Sequence, residues 1–224
     1  MVTTRHELLA ELHRIVKPMV YLEVGVQYGH SLALANECPY AYGIDPNPQL
    51  TVPVTGKVLR STSDDFFASD EAKGIGTIDL AFIDGMHLVE FALHDFMNIE
   101  KKMDPWGVIV FDDVLPRNYG EASRNQCPGD WAGDVWKIRE ILYRYRPELS
   151  LHLVDVQPTG LLIVTSLNYS SMVLSRSYEK IVRAFASEHL SFDQAKLDDV
   201  LSRKYALTPD AALNLVQQLR TFTG

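Results

Sequence analysis

The chain has 224 residues, 46% of them hydrophobic and 22% charged, which suits one domain, or one with an appendage, that buries a full core. Its 21 Lys and Arg against 29 Asp and Glu leave a net charge of −8, with no basic run, which disfavours nucleic acid as a partner. No apolar run reaches the roughly 18 residues of a membrane helix, Glu7 and Glu11 interrupt any secretory signal core, and two cysteines, Cys38 and Cys127, make neither a disulfide framework nor a metal knuckle. These features point to a cytoplasmic enzyme or binding protein.

Leu8, Leu9, Leu12, Ile15 and Val16 recur at helical spacing, which predicts an amphipathic helix over 3–16, ended by Lys17-Pro18. A short apolar run over 19–24 follows, then Gly25, then a second helical pattern over 31–36. Strands are expected at 41–44, stopped by Asp45-Pro46-Asn47-Pro48, and at 57–60, with a short helix at 63–68. Residues 78–83 read as a strand, 87–101 as a helix, and 107–111, Gly-Val-Ile-Val-Phe, as a buried strand. A polar stretch over 115–134 precedes a helix over 135–145. Two strands, 151–156 and 161–167, flank Gln157-Pro158-Thr159-Gly160 and suggest a closing antiparallel hairpin. Alternation of short strands with helices implies a Rossmann-like α/β fold: seven strands, mostly parallel, with helices on both faces. A break near 168–171 divides residues 1–170 from a helical extension, 171–224, whose job is to cover a sheet face or to pair with another subunit in a homo-oligomer.

Two constellations carry chemistry. In the first, Glu23-Val-Gly25-Val-Gln-Tyr-Gly29-His-Ser31 runs from a strand through a glycine turn into a helix. Glycines let the backbone turn and approach a ligand, and the N–H groups at a helix start attract an anion. Asp45, twenty residues past Gly25 at the next strand end, can accept both hydroxyls of a ribose. The plainer alternative is an ordinary strand-to-helix connection. A dinucleotide fingerprint would need glycine at Gln27 and His30, so the rival reading, an NAD(P)-dependent oxidoreductase, is disfavoured. A non-catalytic nucleoside-binding protein is the other rival.

In the second, Ile83-Asp84-Gly85-Met86-His87 closes one strand and Phe111-Asp112-Asp113 closes the next. Neighbouring parallel strands lie about 4.8 Å apart, so Asp84, Asp112 and Asp113 converge. With no Lys or Arg beside either motif, three carboxylates call for protons or a hard cation such as Mg²⁺, Mn²⁺ or Ca²⁺. His87, three residues past Asp84, has the pKa range of a general base. The plainer alternatives are that Asp84 only orients a cofactor, and that Asp112 and Asp113 are loop acids.

The E-x-G-x-x-x-G turn resembles motif I of the class I S-adenosylmethionine-dependent methyltransferases. The Phe-Ile-Asp-Gly-x-His run with its later Phe-Asp-Asp resembles the bacterial macrolide-sugar and rhamnosyl O-methyltransferases and the related cephalosporin-hydroxylase-like proteins. The resemblance, over about residues 20–165, implies S-adenosyl-L-methionine as cofactor and Mg²⁺ as metal. It implies Glu23, Gly25, Gly29 and Ser31 at the methionine end, Asp45 at the ribose, and Ser63 and Asp64 near the adenine, where a plain helix cap is the alternative. It further implies Asp84, Asp112 and Asp113 as metal ligands, His87 as base, and methyl transfer to a hydroxyl of a small molecule such as a sugar or natural product. In the 115–134 stretch, long enough for a lid or for disorder, Arg117, Tyr119, Arg124 and Trp131 are candidates for contacting the acceptor.

Overall fold

The computed structural model describes residues 2–126, 128–186 and 194–221, so Cys127 lies outside the described residues. Helix α1 (Arg5–Val16) starts at a capping box: the Thr4 hydroxyl accepts from Glu7 N–H while the Glu7 carboxylate accepts from Thr4 N–H. Strand β1 (Val20–Val24) is buried along its whole length. After it the expected helix at 31–36 shrinks to a four-residue 3₁₀ turn, Leu32–Ala35. Strands β2 (Tyr40–Ile44) and β3 (Lys57–Leu59) lead to α2 (Ser63–Ala68) and to a five-residue helix, α3 (Asp70–Gly74), that hydrophobic periodicity does not announce. Strand β4 (Ile78–Ile83), helix α4 (Val89–Glu100) and strand β5 (Met103–Phe111) complete the parallel half. A 3₁₀ turn at Val135–Lys137 enters α5 (Ile138–Tyr145), and strands β6 (Ser150–Val154) and β7 (Leu161–Thr165) follow.

The seven strands lie in the order β3-β2-β1-β4-β5-β7-β6. The first five are mutually parallel, and β7 enters antiparallel between β5 and β6. This is the expected Rossmann-like sheet with its antiparallel closing pair. The register decides where chemistry can gather. Val24 pairs with both Ile44 and Ile83, and Ile83 pairs with Phe111, so Gly25, Asp45, Asp84 and Asp112 each leave the sheet at the same edge. The strand order reverses between β1 and β4, which makes this edge a topological switch point, where open α/β sheets bind ligands.

Alternation along the strands sends residues to two cores. Leu22, Ala81, Ile83, Ile109 and Phe111 pack against Phe66 of α2, Leu93 and Phe96 of α4, and Ile138 and Ile141 of α5. Tyr21, Leu80, Phe82, Val108 and Val110 pack against Leu8, Leu9 and Leu12 of α1 and Leu32 of the 3₁₀ turn. The C-terminal helices α6 (Val173–Phe185), α7 (Gln194–Leu201) and α8 (Pro209–Thr221) distribute over both sides. Leu174 and Ile181 of α6 join the first core, Leu213 and Val216 of α8 join the second, and Leu197 of α7 packs on Ala122 and Trp136. Among the described residues no helix is long and apolar enough to cross a membrane.

Candidate active site

A cavity of about 700 Å³ opens at the switch-point edge. One end is walled by Gly25, Val26, Gln27 and Ser31 of the glycine turn, with Asp45 and, further on, Ser63 and Asp64; the other end is walled by Asp84, His87 and Asp113.

At the turn, Gly25 has φ +89°, and a Cβ there would lie 1.8 Å from the Asp84 carbonyl oxygen, so no side chain fits. The Asp45 carboxylate organises the same turn: Oδ2 accepts from Val26 N–H (3.0 Å) and Gln27 N–H (2.8 Å), and Oδ1 from Asn47 N–H (2.7 Å). Glu23 and Gly29 do not line the cavity. Glu23, fully buried on the Tyr21 face of β1, accepts from the Tyr21 hydroxyl and the Ser31 hydroxyl, each at 2.7 Å, and burial pushes its carboxyl up to about 8. It thus anchors Ser31 from behind. At the opposite corner Asp64 pairs with His94 at 2.5 Å, and the buried Asp95 of α4 is raised to about 6 by desolvation, against a hydrogen bond from Ser63. Asp95 is a lining residue that sequence reasoning missed. Its signal was present: an acid on the helix face shared with Ala92 and Ile99.

The acidic end differs from expectation in its partners. His87 precedes α4 by two residues instead of starting it, because the His87 carbonyl accepts from Asp134 N–H (3.2 Å). The helix has no capping side chain of its own at Leu88; Asp134 serves instead, accepting from Val89 N–H at 2.8 Å. The His87 ring points its Nδ1 at the Trp131 carbonyl, 2.6 Å away, and lies stacked beside the Trp131 indole with ring centres 5.4 Å apart. Since a carbonyl only accepts, Nδ1 carries a hydrogen and Nε2 is left to face Asp113 (3.2 Å) and Asp84 (3.6 Å). Burial works against charge on this ring, but hydrogen bonding with Asp84 and the charges of Asp113 and Asp84 prevail and push it up to about 9. Asp113 sits in left-handed backbone, φ 62°, uncommon outside glycine and frequent at functional sites. Burial and the nearby Asp112 and Asp84 hold its carboxyl far above the usual range.

Asp84, His87 and Asp113 offer three donor atoms that all lie within 4.8 Å of one another. Asp112 points elsewhere: its carboxylate accepts from the Arg5 guanidinium and, at 3.3 Å, from the Thr159 hydroxyl. Burial and the charge of Asp84 raise Asp112 to about 6, against the pull of Arg5. The cation that the neighbouring sequence lacks therefore arrives from the first turn of α1.

The 115–134 stretch is held by ion pairs. Arg124 bridges Glu90 and Asp134, and Arg117 joins the buried Glu121 and Asp130. Arg117 and Trp131 line the cavity. Arg124 is committed to its acids, and the Tyr119 hydroxyl donates to Asp198 of α7, so neither of these two expected acceptor contacts stands at the cavity wall.

Residues 22–114, from β1 to just past Asp113, match the family model described as a methyltransferase domain. This stretch contains both constellations, and it occupies well under half of the chain. No curated protein matches by sequence. Among solved structures, an O-methyltransferase from Bacillus cereus in complex with SAH is 19% identical with a TM-score of 0.55, over 71% of this chain and 79% of that one. The O-methyltransferase TomG from Streptomyces achromogenes, in complex with SAM, is 19% identical at 0.55, over 73% and 80%. An SAH-bound methyltransferase from Podospora anserina is 17% identical at 0.56, over 72% and 77%. The chain thus shares its fold with these three methyltransferases.

Proposed function

We propose that this protein transfers the methyl group of S-adenosyl-L-methionine to a hydroxyl oxygen of a small molecule. One observation supports the reading above the others: within the stretch that matches a methyltransferase domain, a cavity joins a nucleoside-type turn with its strand-end acid to an imidazole set between two carboxylates. S-adenosylmethionine, when bound, supplies an electrophilic methyl group on a sulfonium. The backbone of Gly25 to Gln27 and the Ser31 hydroxyl take the methionine end, Asp45 the ribose, and Ser63 and Asp64 the adenine. Glu23 and Gly29 act from behind, through the shape of the turn.

The acceptor binds between this end and Trp131, which with Arg117 screens the site from water. In its neutral form, which gains as pH rises toward 9, His87 takes the hydroxyl proton on Nε2, since Nδ1 is committed to the Trp131 carbonyl. Asp84 and Asp113 stabilise the imidazolium that results. The two carboxylates beside His87 offer oxygen donors of the kind that suits Mg²⁺ or Mn²⁺. Asp84 and Asp113 would hold such an ion, which would supply a Lewis acid for the acceptor oxygen. Asp112, the third expected ligand, would contribute only on leaving Arg5. The carboxylates that face Nε2 also hold its proton, so cation and base share one requirement: neutralisation of Asp84 and Asp113.

Calorimetry with S-adenosylhomocysteine tests the cofactor half, and no detectable binding sinks the proposal. Transfer of labelled methyl from the cofactor to a panel of sugars and phenols, with and without EDTA, tests the rest. Full activity in EDTA removes the metal and leaves the base.

A further inference from the structure

Arg5 occupies a place that the proposed reaction does not use. Its guanidinium Nη1 donates to Asp112 and lies 3.5 Å from Asp84 Oδ2, so one side chain spans the tips of β4 and β5. The contact is built. Arg5 stands in the first turn of α1, behind the Thr4 capping box, and its own N–H donates to the Gln157 carbonyl at 2.8 Å while Gln157 N–H donates to the Thr3 carbonyl at 2.9 Å. The same connection, between β6 and β7, brings Thr159 onto Asp112. Burial of the guanidinium is offset by the three aspartates around it, Asp112 first.

We propose that Arg5 is a tethered cation of the acidic site, which withdraws Asp112 from metal ligation and so sets the affinity of the site for a hard divalent cation. The inference rests on the metal-assisted form of the reading above. The physics is charge counting. With Arg5 in place, a metal ion meets two carboxylates, Asp84 and Asp113, beside a fixed positive charge. Without Arg5 it meets three carboxylates, and oxygen-ligand sites tighten steeply with the number of charged ligands. Arg5 thereby keeps the ion exchangeable and leaves one of its faces for an acceptor oxygen instead of a third aspartate.

The test is Mn²⁺ binding, followed by electron paramagnetic resonance on the full chain, for wild type, Arg5→Ala, Arg5→Lys and the double variant Arg5→Ala/Asp112→Asn. Arg5→Ala is expected to bind Mn²⁺ at least tenfold more tightly than wild type. Arg5→Lys, which keeps the charge, should stay near wild type, and the double variant should lose the gain. Should Arg5→Ala not fold, Arg5→Gln keeps the length of the side chain and serves in its place. Unchanged or weaker Mn²⁺ binding on removal of the charge overturns the proposal, as does a gain that survives Asp112→Asn, or the absence of Mn²⁺ binding in every variant. Parallel calorimetry with S-adenosylhomocysteine separates the two ideas: its binding tests the methyltransferase reading whatever the manganese result.

Discussion

The Nδ1 of His87 lies 2.6 Å from the carbonyl oxygen of Trp131, 44 residues further along the chain. A backbone acceptor sets the tautomer, so the ring's orientation depends on the path of the main chain after Trp131 and not on a second side chain. Two residues on, Gly133 (φ +63°) runs directly beneath His87: a Cβ added there would stand 1.7 Å from the His87 carbonyl oxygen. Gly133→Ala is therefore expected to destabilise the fold by about 2–4 kcal/mol, through left-handed strain and a forced backbone shift. Urea unfolding checks this, and a change below about 0.5 kcal/mol would show that the stretch yields freely.

Asp45 ties down the glycine turn with three backbone hydrogen bonds, to Val26, Gln27 and Asn47. Charge-assisted bonds of this kind contribute roughly 1.5–3 kcal/mol each when intact. Asp45→Ala should weaken S-adenosylhomocysteine binding by about 10- to 100-fold, and Asp45→Asn by less, since only one of its two side-chain heads still accepts. Calorimetry at matched protein stability reads both. Equal affinities across the three proteins would separate Asp45 from the cofactor.

Glu23 makes stability depend on pH. Its carboxyl is raised from 4.5 to about 8 by burial. Between those values the unfolded chain has released a proton that the folded chain keeps, so stability falls as pH rises, by up to about 1.4 kcal/mol per unit. The contribution is whole below pH 4.5 and gone above pH 8. Glu23→Gln keeps partners for Tyr21 and Ser31 without the ionisation. Its thermal melting temperature should decline less than that of wild type from pH 5 to pH 8. Parallel melting curves would count against a raised carboxyl.

Away from the site, Arg146 is 1% exposed and forms a two-pronged pair with the buried Glu100, at 2.6 and 2.8 Å, while its Nε donates to Glu148 at 2.5 Å. Glu100 also accepts from Asn168 N–H, at 3.1 Å. Removing one partner strands the other charge out of water, so Arg146→Met should cost about 3–5 kcal/mol. Replacing Glu100 by Gln in the same chain should recover part of that loss. A double variant no better than the single would mean that the guanidinium matters for packing and not for charge.

Much of this was legible in the residues themselves. Periodicity and turn residues mark β4 and α2 at their observed bounds, because each is a short apolar or capped run between breakers. Sequential pairing of parallel strands was enough to expect Asp84 and Asp113 near each other, and the interval of three residues put His87 beside them. Local pattern failed where a partner came from far away. The helix at 31–36 is only a 3₁₀ turn, and α4 begins at Val89 because Asp134, 45 residues on, supplies its cap.

What the chain alone determined is the sheet and the edge at which Gly25, Asp45, Asp84 and Asp112 emerge. Both follow from simple rules: alternation, turn geometry and the pairing of sequential strands. Only the tertiary structure decided which acid meets which cation. Arg5 and Asp112 are 107 residues apart, and side-chain charges pair by distance in space, which no local spacing encodes.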